Sequence, residues 1–333
     1  MTTYTRRQVV QGMGAVGLGL LAACGRWPGQ AAPVKVARIG VLSQSADPSD
    51  AYNAAFRQGL RDLGYSEGQN LTLEWRSFAS RIDQLPELAA DLARLPVDVI
   101  VAQGDIATQA AKQASVTIPV IMAFGSDPVR AGLVATLARP GGNVTGLASM
   151  SGPLGGKRLE LLRDTMPGLA RVAMLWNPAI AERAYEFEET AAAAQTLGLA
   201  LQSVELRHGG GLESAFASIL RGRAEALFLQ GNLVATRYRQ EIVDFSTAHQ
   251  LPTISGGRGF VVAGSLLSYG PDFPGMNRRA AYYVDRILKG ANPADLPVEQ
   301  PTTFDFVINL KTAQALGLTI PHHVLLQATE VIQ

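Results

Sequence analysis

The chain holds a single cysteine in 333 residues, so no disulfide framework can brace it. Charge of either sign is sparse: Asp, Glu, Lys and Arg make up 17% of the residues and the formal net charge is +1. A nucleic-acid-binding surface needs a basic excess that this composition lacks, which excludes nucleic acid as a partner. Aromatics are scarce at 7%, while Ala, Gly, Val and Leu carry much of a hydrophobic content of 47%. That balance fits an α/β protein with buried parallel strands. Fixed-period repeats, low-complexity tracts and blocks of like charge are all missing, and beyond the first two dozen residues no apolar run is long enough to span a bilayer.

Catalytic signatures are absent as well. There is no Gly-x-Ser-x-Gly elbow, no phosphate-binding Walker loop, and no dinucleotide fingerprint after the first predicted strand. The four histidines are His208 in a Gly-rich loop, His249 at a predicted helix end, and His322-His323 near the tail; none has metal-ligand spacing to a second donor. Asp105, Asp127 and Asp272 have no partner in sequence for general acid–base work. The expectation is a protein that is not an enzyme and carries no cofactor or metal.

What is present begins at the N-terminus. Arg6 and Arg7 precede an uncharged run that closes on Leu21-Ala22-Ala23-Cys24. Basic, apolar and small-residue segments in that order form an export signal, and about fifteen apolar residues are too few for a mature membrane span. The closing tetrapeptide resembles the lipobox of bacterial lipoproteins, in which the cysteine is acylated. Residues 1–24 are therefore expected to be a lipoprotein signal with Cys24 as the lipid attachment site, and 25–34 a linker. A periplasmic or cell-surface protein tethered to a membrane by lipid follows. The alternative is that Cys24 is an incidental small residue of a cleaved signal.

From residue 36 onward short β-type runs alternate with helical patterns. The spacing predicts strands over 36–42, 71–76, 97–102 and 119–124, with helices over 51–63, 82–95 and 106–115. In the first helix Ala55, Phe56, Leu60 and Leu63 share a face, and Gly64 stops it. After a Gly-rich connection over 141–146 the series restarts, with helices over 157–166, 182–197, 212–221 and 237–249 and strands over 172–176, 199–206, 226–229 and 252–255. The tail adds a helix over 277–289, a strand over 303–308 and a short helix over 311–316. Strands separated by helices of this length make right-handed βαβ crossovers and a parallel sheet. The expected fold is α/β with two doubly wound parallel-sheet lobes joined by a multi-strand hinge. Its lobes are expected at 35–147 plus about 267–300, and at 148–266 plus about 301–333.

In open α/β sheets the ligand crevice lies beyond the carboxyl ends of the strands. Candidate ligand-binding residues are therefore Ser43, Gln44, Gly104, Asp105, Phe124 and Asp127 in the first lobe. Asn177, Gln230, Asn232 and Ser255 follow in the second, with Tyr269 close to where the chain recrosses. Small hydroxyls, amides and glycines offer hydrogen bonds to a small polar ligand, and the aromatics a face to pack on. Taken one at a time, the same residues also serve as ordinary turn and N-cap residues. Trp176, which precedes Asn-Pro, reads as core or hinge packing.

Several runs resemble a known family. They are Ile118-Pro119-Val120-Ile121, Asp127-Pro128-Val129, Gly132-Leu133-Val134 and Arg139-Pro140-Gly141-Gly142-Asn143-Val144-Thr145-Gly146, then Ser268-Tyr269-Gly270, Asp285-Arg286-Ile287-Leu288-Lys289-Gly290 and Leu296-Pro297-Val298-Glu299-Gln300-Pro301. Their order is similar to that in the ABC-transporter substrate-binding proteins related to the tryptophan/tyrosine uptake lipoproteins. The resemblance implies a type I periplasmic binding protein whose lobes close on a small molecule, with an ABC permease as partner. One departure bears on the ligand. Many relatives carry an aspartate after the strand that here ends at Leu229, where this chain has Gln230-Gly231-Asn232. The ligand is then an aromatic or amphipathic carboxylate or an amino acid, with Asp105 or Asp127 as candidate partners for an ammonium and Arg258 as a candidate partner for an acid. A ligand-sensing receptor subunit, or an exported enzyme on the same scaffold, stays open as an alternative.

Overall fold

The computed structural model describes residues 36–333 apart from 80, 208–210 and 232. The export signal, Cys24 and the linker lie outside the described residues, as does Asn232.

Five strands form the first sheet: β1 (Ala37–Ser43), β2 (Leu71–Ser77), β3 (Val99–Gln103), β4 (Val120–Gly125) and β5 (Val144–Ala148). Their order is β2-β1-β3-β4-β5 and every pairing is parallel. Strands β3, β4 and β5 are buried along their whole length because helices cover both faces, which is why they read as apolar runs instead of alternating ones. β5 is a strand that the sequence pattern leaves as a Gly-rich connection. Gly146, its third residue, has φ +130°, and a Cβ there would sit 2.1 Å from the Met122 carbonyl oxygen. Only glycine lets β5 lie this close to β4.

The rest of the conspicuous run is equally structural. Asn143 donates from Nδ2 to the Ser115 and Ile118 carbonyls at 2.8 and 2.9 Å, and the Thr145 hydroxyl donates to the Leu296 carbonyl at 2.7 Å. These bonds set the entry to β4 and tie β5 to the chain returning from the tail.

The second sheet holds β6 (Arg171–Trp176), β7 (Ala200–Glu205), β8 (Ala226–Leu229), β9 (Thr253–Ser255), β10 (Leu267–Gly270), β11 (Asp305–Asn309) and β12 (Glu330–Ile332). The order is β12-β11-β10-β9-β8-β6-β7. β10 and β11 pair antiparallel, the one exception to parallel pairing among these strands. The chain leaves β10 at its carboxyl end, builds the first-lobe helix Phe273–Leu288, and comes back beside Gly270 at Asp305. A segment that returns to the end it left must run backward along its neighbour.

The same observation moves the expected lobe boundary. Residues 267–270 belong to the second sheet, because Leu267 and Ser268 are buried and pair with Ile254 and Ser255. The crossing therefore falls at 271–272, and 273–299 pack with the first lobe. The chain crosses three times, through 149–153, 271–272 and 300–304, with Glu299 bridged to β5 just before the last crossing. Among the described residues no helix is long and apolar enough to cross a membrane.

Candidate ligand site

The carboxyl ends of β1, β3 and β4 face those of β8 and β9 across a cavity with about 150 Å³ of space for water-sized occupants, lined from both lobes. The first-lobe wall rests on a buried amide network. Gln103 donates from Nε2 to Asn53 Oδ1 and Asn277 Oδ1, both at 3.1 Å, while its Oε1 accepts the Gln44 backbone N–H at 2.9 Å. The Ser43 hydroxyl donates to Asn53 Oδ1 at 2.8 Å, and Asn277 Nδ2 donates to the Phe273 carbonyl at 2.9 Å. One cluster thus joins the loop after β1, the end of β3 and the starts of two helices. Gln103→Leu is expected to cost about 2–3 kcal/mol, since it strands several buried polar partners at once. Urea unfolding of the variant measures it.

Those two helix starts carry aromatics into the cavity. Tyr52 sits in the first turn of the helix Ala51–Asp62, whose N-cap Asp50 accepts the Tyr52 N–H at 3.0 Å. Phe273 opens the helix capped by Asp272, which accepts the Gly275 N–H at 2.9 Å. With Phe124 from β4 they form a trio: ring centroids are 5.6 Å apart for Tyr52–Phe124, 5.2 Å for Phe124–Phe273 and 6.1 Å for Tyr52–Phe273. Edge-to-face pairs of this kind make a rigid apolar wall. Burial pushes the Tyr52 hydroxyl up to about 12, so it is a neutral donor at physiological pH.

The second-lobe wall is cationic. Arg158, on the helix Leu154–Thr165, is 4% exposed and donates from Nε to the Tyr269 carbonyl at 2.7 Å. Burial pushes its guanidinium down to about 10, with Glu186 opposing the shift, and it stays charged at neutral pH. Arg183 and buried Glu186 form an ion pair on the helix Ala181–Thr196. Arg239 opens the helix Arg239–Ala248 and lies over the Phe260 ring at 5.3 Å. Among the described residues no group of His, Cys, Asp and Glu is arranged to hold a metal.

Of the residues expected from sequence, Gln44, Gly104, Asp105 and Phe124 line this cavity. Asp105, 7% exposed, takes the Ser126 N–H on its carboxylate at 2.9 and 3.0 Å. Ser43, Asp127, Asn177, Gln230, Ser255 and Tyr269 are not among the described residues that line it. Ser43 lies beneath the floor in the amide network, and Ser255 donates to the Gly257 carbonyl at 3.1 Å. Asn177 accepts the Ala179 N–H at 3.0 Å, and Gln230 donates to the Arg183 carbonyl at 2.9 Å. Tyr269 packs its ring toward Phe304 and Phe306, so what it offers the site is the carbonyl under Arg158.

Asp127 accepts the Arg130 N–H at 3.0 Å and lines an adjoining cavity of about 550 Å³. There Arg130 of the first lobe lies 3.7 Å over the Tyr185 ring of the second. Arg258 is held by Glu330 through two bonds of 2.6 Å and is not among the residues lining the cavity. Trp176 stacks on Phe187 at 4.6 Å in the second-lobe core. Tyr52, Phe273, Arg158, Arg183, Glu186 and Arg239 escape the sequence reading because they sit on helices, where strand-end logic does not look. The cap-then-aromatic pattern of Asp50-Ala51-Tyr52 and Asp272-Phe273 is the signal that could have found two of them.

A model of the family described as ABC transporter substrate binding protein matches residues 36–332. The chain belongs to this family. ABC transporter substrate-binding proteins are binding proteins and not enzymes. Among its relatives is a "Tyrosine-binding protein" of Clostridioides difficile (strain R20291), 24% identical over 314 residues that cover 92% of this chain and 90% of the relative. A solved Streptococcus pneumonia structure described as an ABC domain in complex with L-Trp is 27% identical, with a TM-score of 0.82 over 89% of this chain and 99% of the other. A conserved domain protein of Vibrio cholerae is also 27% identical, with a TM-score of 0.84 over 89% of this chain and all of the other. The two-lobed α/β architecture is thus that of a type I periplasmic binding protein.

Proposed function

We propose that this ABC transporter substrate-binding protein is the extracytoplasmic receptor of an importer. It captures a small aromatic or amphipathic carboxylate or amino acid between its lobes and delivers it to a membrane permease. The observation that carries the reading is one cavity walled by the Tyr52–Phe124–Phe273 trio on one lobe and by Arg158 on the other. A ligand with an apolar ring and a charged end matches both walls. The tyrosine and tryptophan in the names of two relatives support the ring. Gln44, Gly104, Asp105 and Phe124 are assigned to direct contact, and Ser43, Asn177, Gln230 and Ser255 to holding the loops that present them. Closure on the ligand favours one lobe arrangement, and a permease that reads this arrangement senses occupancy.

Native mass spectrometry of the purified protein, followed by denaturation, tests the reading. A stoichiometric, chemically unchanged small acid or amino acid is the expected release. Release of a product distinct from a co-purified precursor overturns it in favour of an enzyme. The lipid anchor has its own test. Acylated Cys24 would hold the protein on a membrane, so Cys24→Ser is expected to move it from the membrane to the soluble fraction on cell fractionation.

A further inference from the structure

Among the described residues, the charged groups of the cleft are out of balance. Arg158, Arg183 and Arg239 line it against the carboxylates Asp105 and Glu186. Resting on the receptor reading above, we infer that the ligand is an aryl carboxylate without an ammonium group, and that Arg158 receives its carboxylate.

Arg158 carries the argument. Its Nε is used by the Tyr269 carbonyl, but among the described residues its two terminal nitrogens make no hydrogen bond and meet no carboxylate within ion-pair range. A guanidinium this deeply buried is costly to leave unpartnered, and a bidentate carboxylate is the partner its planar fork fits best. Its seat is built for it. A Cβ at Gly256 would come to 3.0 Å from Nη2, so glycine just past the end of β9 leaves room for the guanidinium. Arg239 gives an independent second sign. Among the described residues its buried Nε has no hydrogen-bond partner, and its guanidinium lies 5.3 Å over the Phe260 ring.

Each described carboxylate of the cleft already has a partner within the protein. Asp105 holds the Ser126 N–H, and Glu186 holds Arg183. After β8 the chain presents Gln230, a neutral amide bound to the Arg183 carbonyl. An α-amino acid would bring its ammonium into a site with a cationic excess, whereas the deaminated acid brings only the charge that Arg158 lacks.

Calorimetric titration with three probes of identical ring tests this: 3-(4-hydroxyphenyl)propionate, L-tyrosine and tyramine. The acid is expected to bind at least tenfold more tightly than L-tyrosine, and tyramine not to bind. Arg158→Gln is expected to weaken the acid at least a hundredfold, with Arg158→Lys recovering part of the loss. The wild-type series decides the matter even if the variants fold poorly. L-Tyrosine binding as tightly as the acid overturns the aryl-carboxylate assignment and leaves the receptor reading standing. So does the release of a different compound in the native mass spectrum when none of the three binds. If none binds and nothing co-purifies, both readings fall.

Discussion

Phe124→Ala is expected to abolish measurable binding of a ring-bearing ligand and to cost about 3–4 kcal/mol of stability. Two separate losses combine. Phe124 is 9% exposed and belongs to the apolar cluster that joins β1, β3 and β4 to the helix Phe273–Leu288. Removing the ring leaves a void under that helix, which the buried strands on both sides cannot collapse to fill. The same ring is the middle of the trio, in contact with both Tyr52 and Phe273. Without it the other two lose their edge partners, and with them the fixed wall on which a ligand ring packs. Urea unfolding and calorimetric titration read the two losses separately. Phe124→Leu keeps most of the volume, so it should restore most of the stability while leaving ring binding weak. If Phe124→Leu bound as well as the wild type, the trio would be core packing and not a ligand wall.

Gly146→Val is expected to be the most damaging single change to the fold, costing at least about 4 kcal/mol, with little folded protein accumulating. Gly146 holds φ at +130°, which a β-branched residue does not adopt without strain. The added atoms would also meet backbone instead of a yielding side chain: a Cβ lies 2.1 Å from Met122 O and 2.8 Å from Met122 N. Relief would require parting β4 from β5, which are paired at Met122 and Gly146. It would also disturb the Glu299 N–H bond to the Gly146 carbonyl at 3.0 Å, just before the last crossing between lobes. Gly142→Ala is the matched control, because nothing lies within 4 Å of a Cβ there. It should change stability by no more than about 0.5 kcal/mol. Thermal and urea unfolding of the pair settle the comparison.

Some of the site was open to reading and some was not, for definite reasons. Gln44, Gly104, Asp105 and Phe124 line the cavity because they directly follow or end buried parallel strands, where a crevice must form. Asp127 and Tyr269 met the same criterion, yet Asp127 turns into the adjoining cavity and the Tyr269 ring packs toward Phe304 and Phe306. Strand-end position says where a residue starts, not which way its side chain leaves. Arg258 looked like an available cation in sequence, and Glu330, far along the chain, takes it. The run from Arg139 to Gly146 was the most recognisable in the chain, and its task is to seat β5 and the returning tail.

The α/β class and the two successive series of strands are legible in the residue order, because strands buried on both faces must be apolar runs and their connections must be helical. The family is legible only through the likeness of runs such as Arg139 to Gly146. The residue order also determined the absence of an acid between Leu229 and Leu233, which already set the ligand question. What Arg158 is depends on the fold. On its own helix it reads as one more charged residue bound for solvent. Its guanidinium is buried because Gly256, distant in sequence, leaves the space for it, and among the described residues its terminal nitrogens meet no acid, Glu186 pairing with Arg183 instead. Burial and pairing depend on which segments meet in space, and no local pattern along the chain records that.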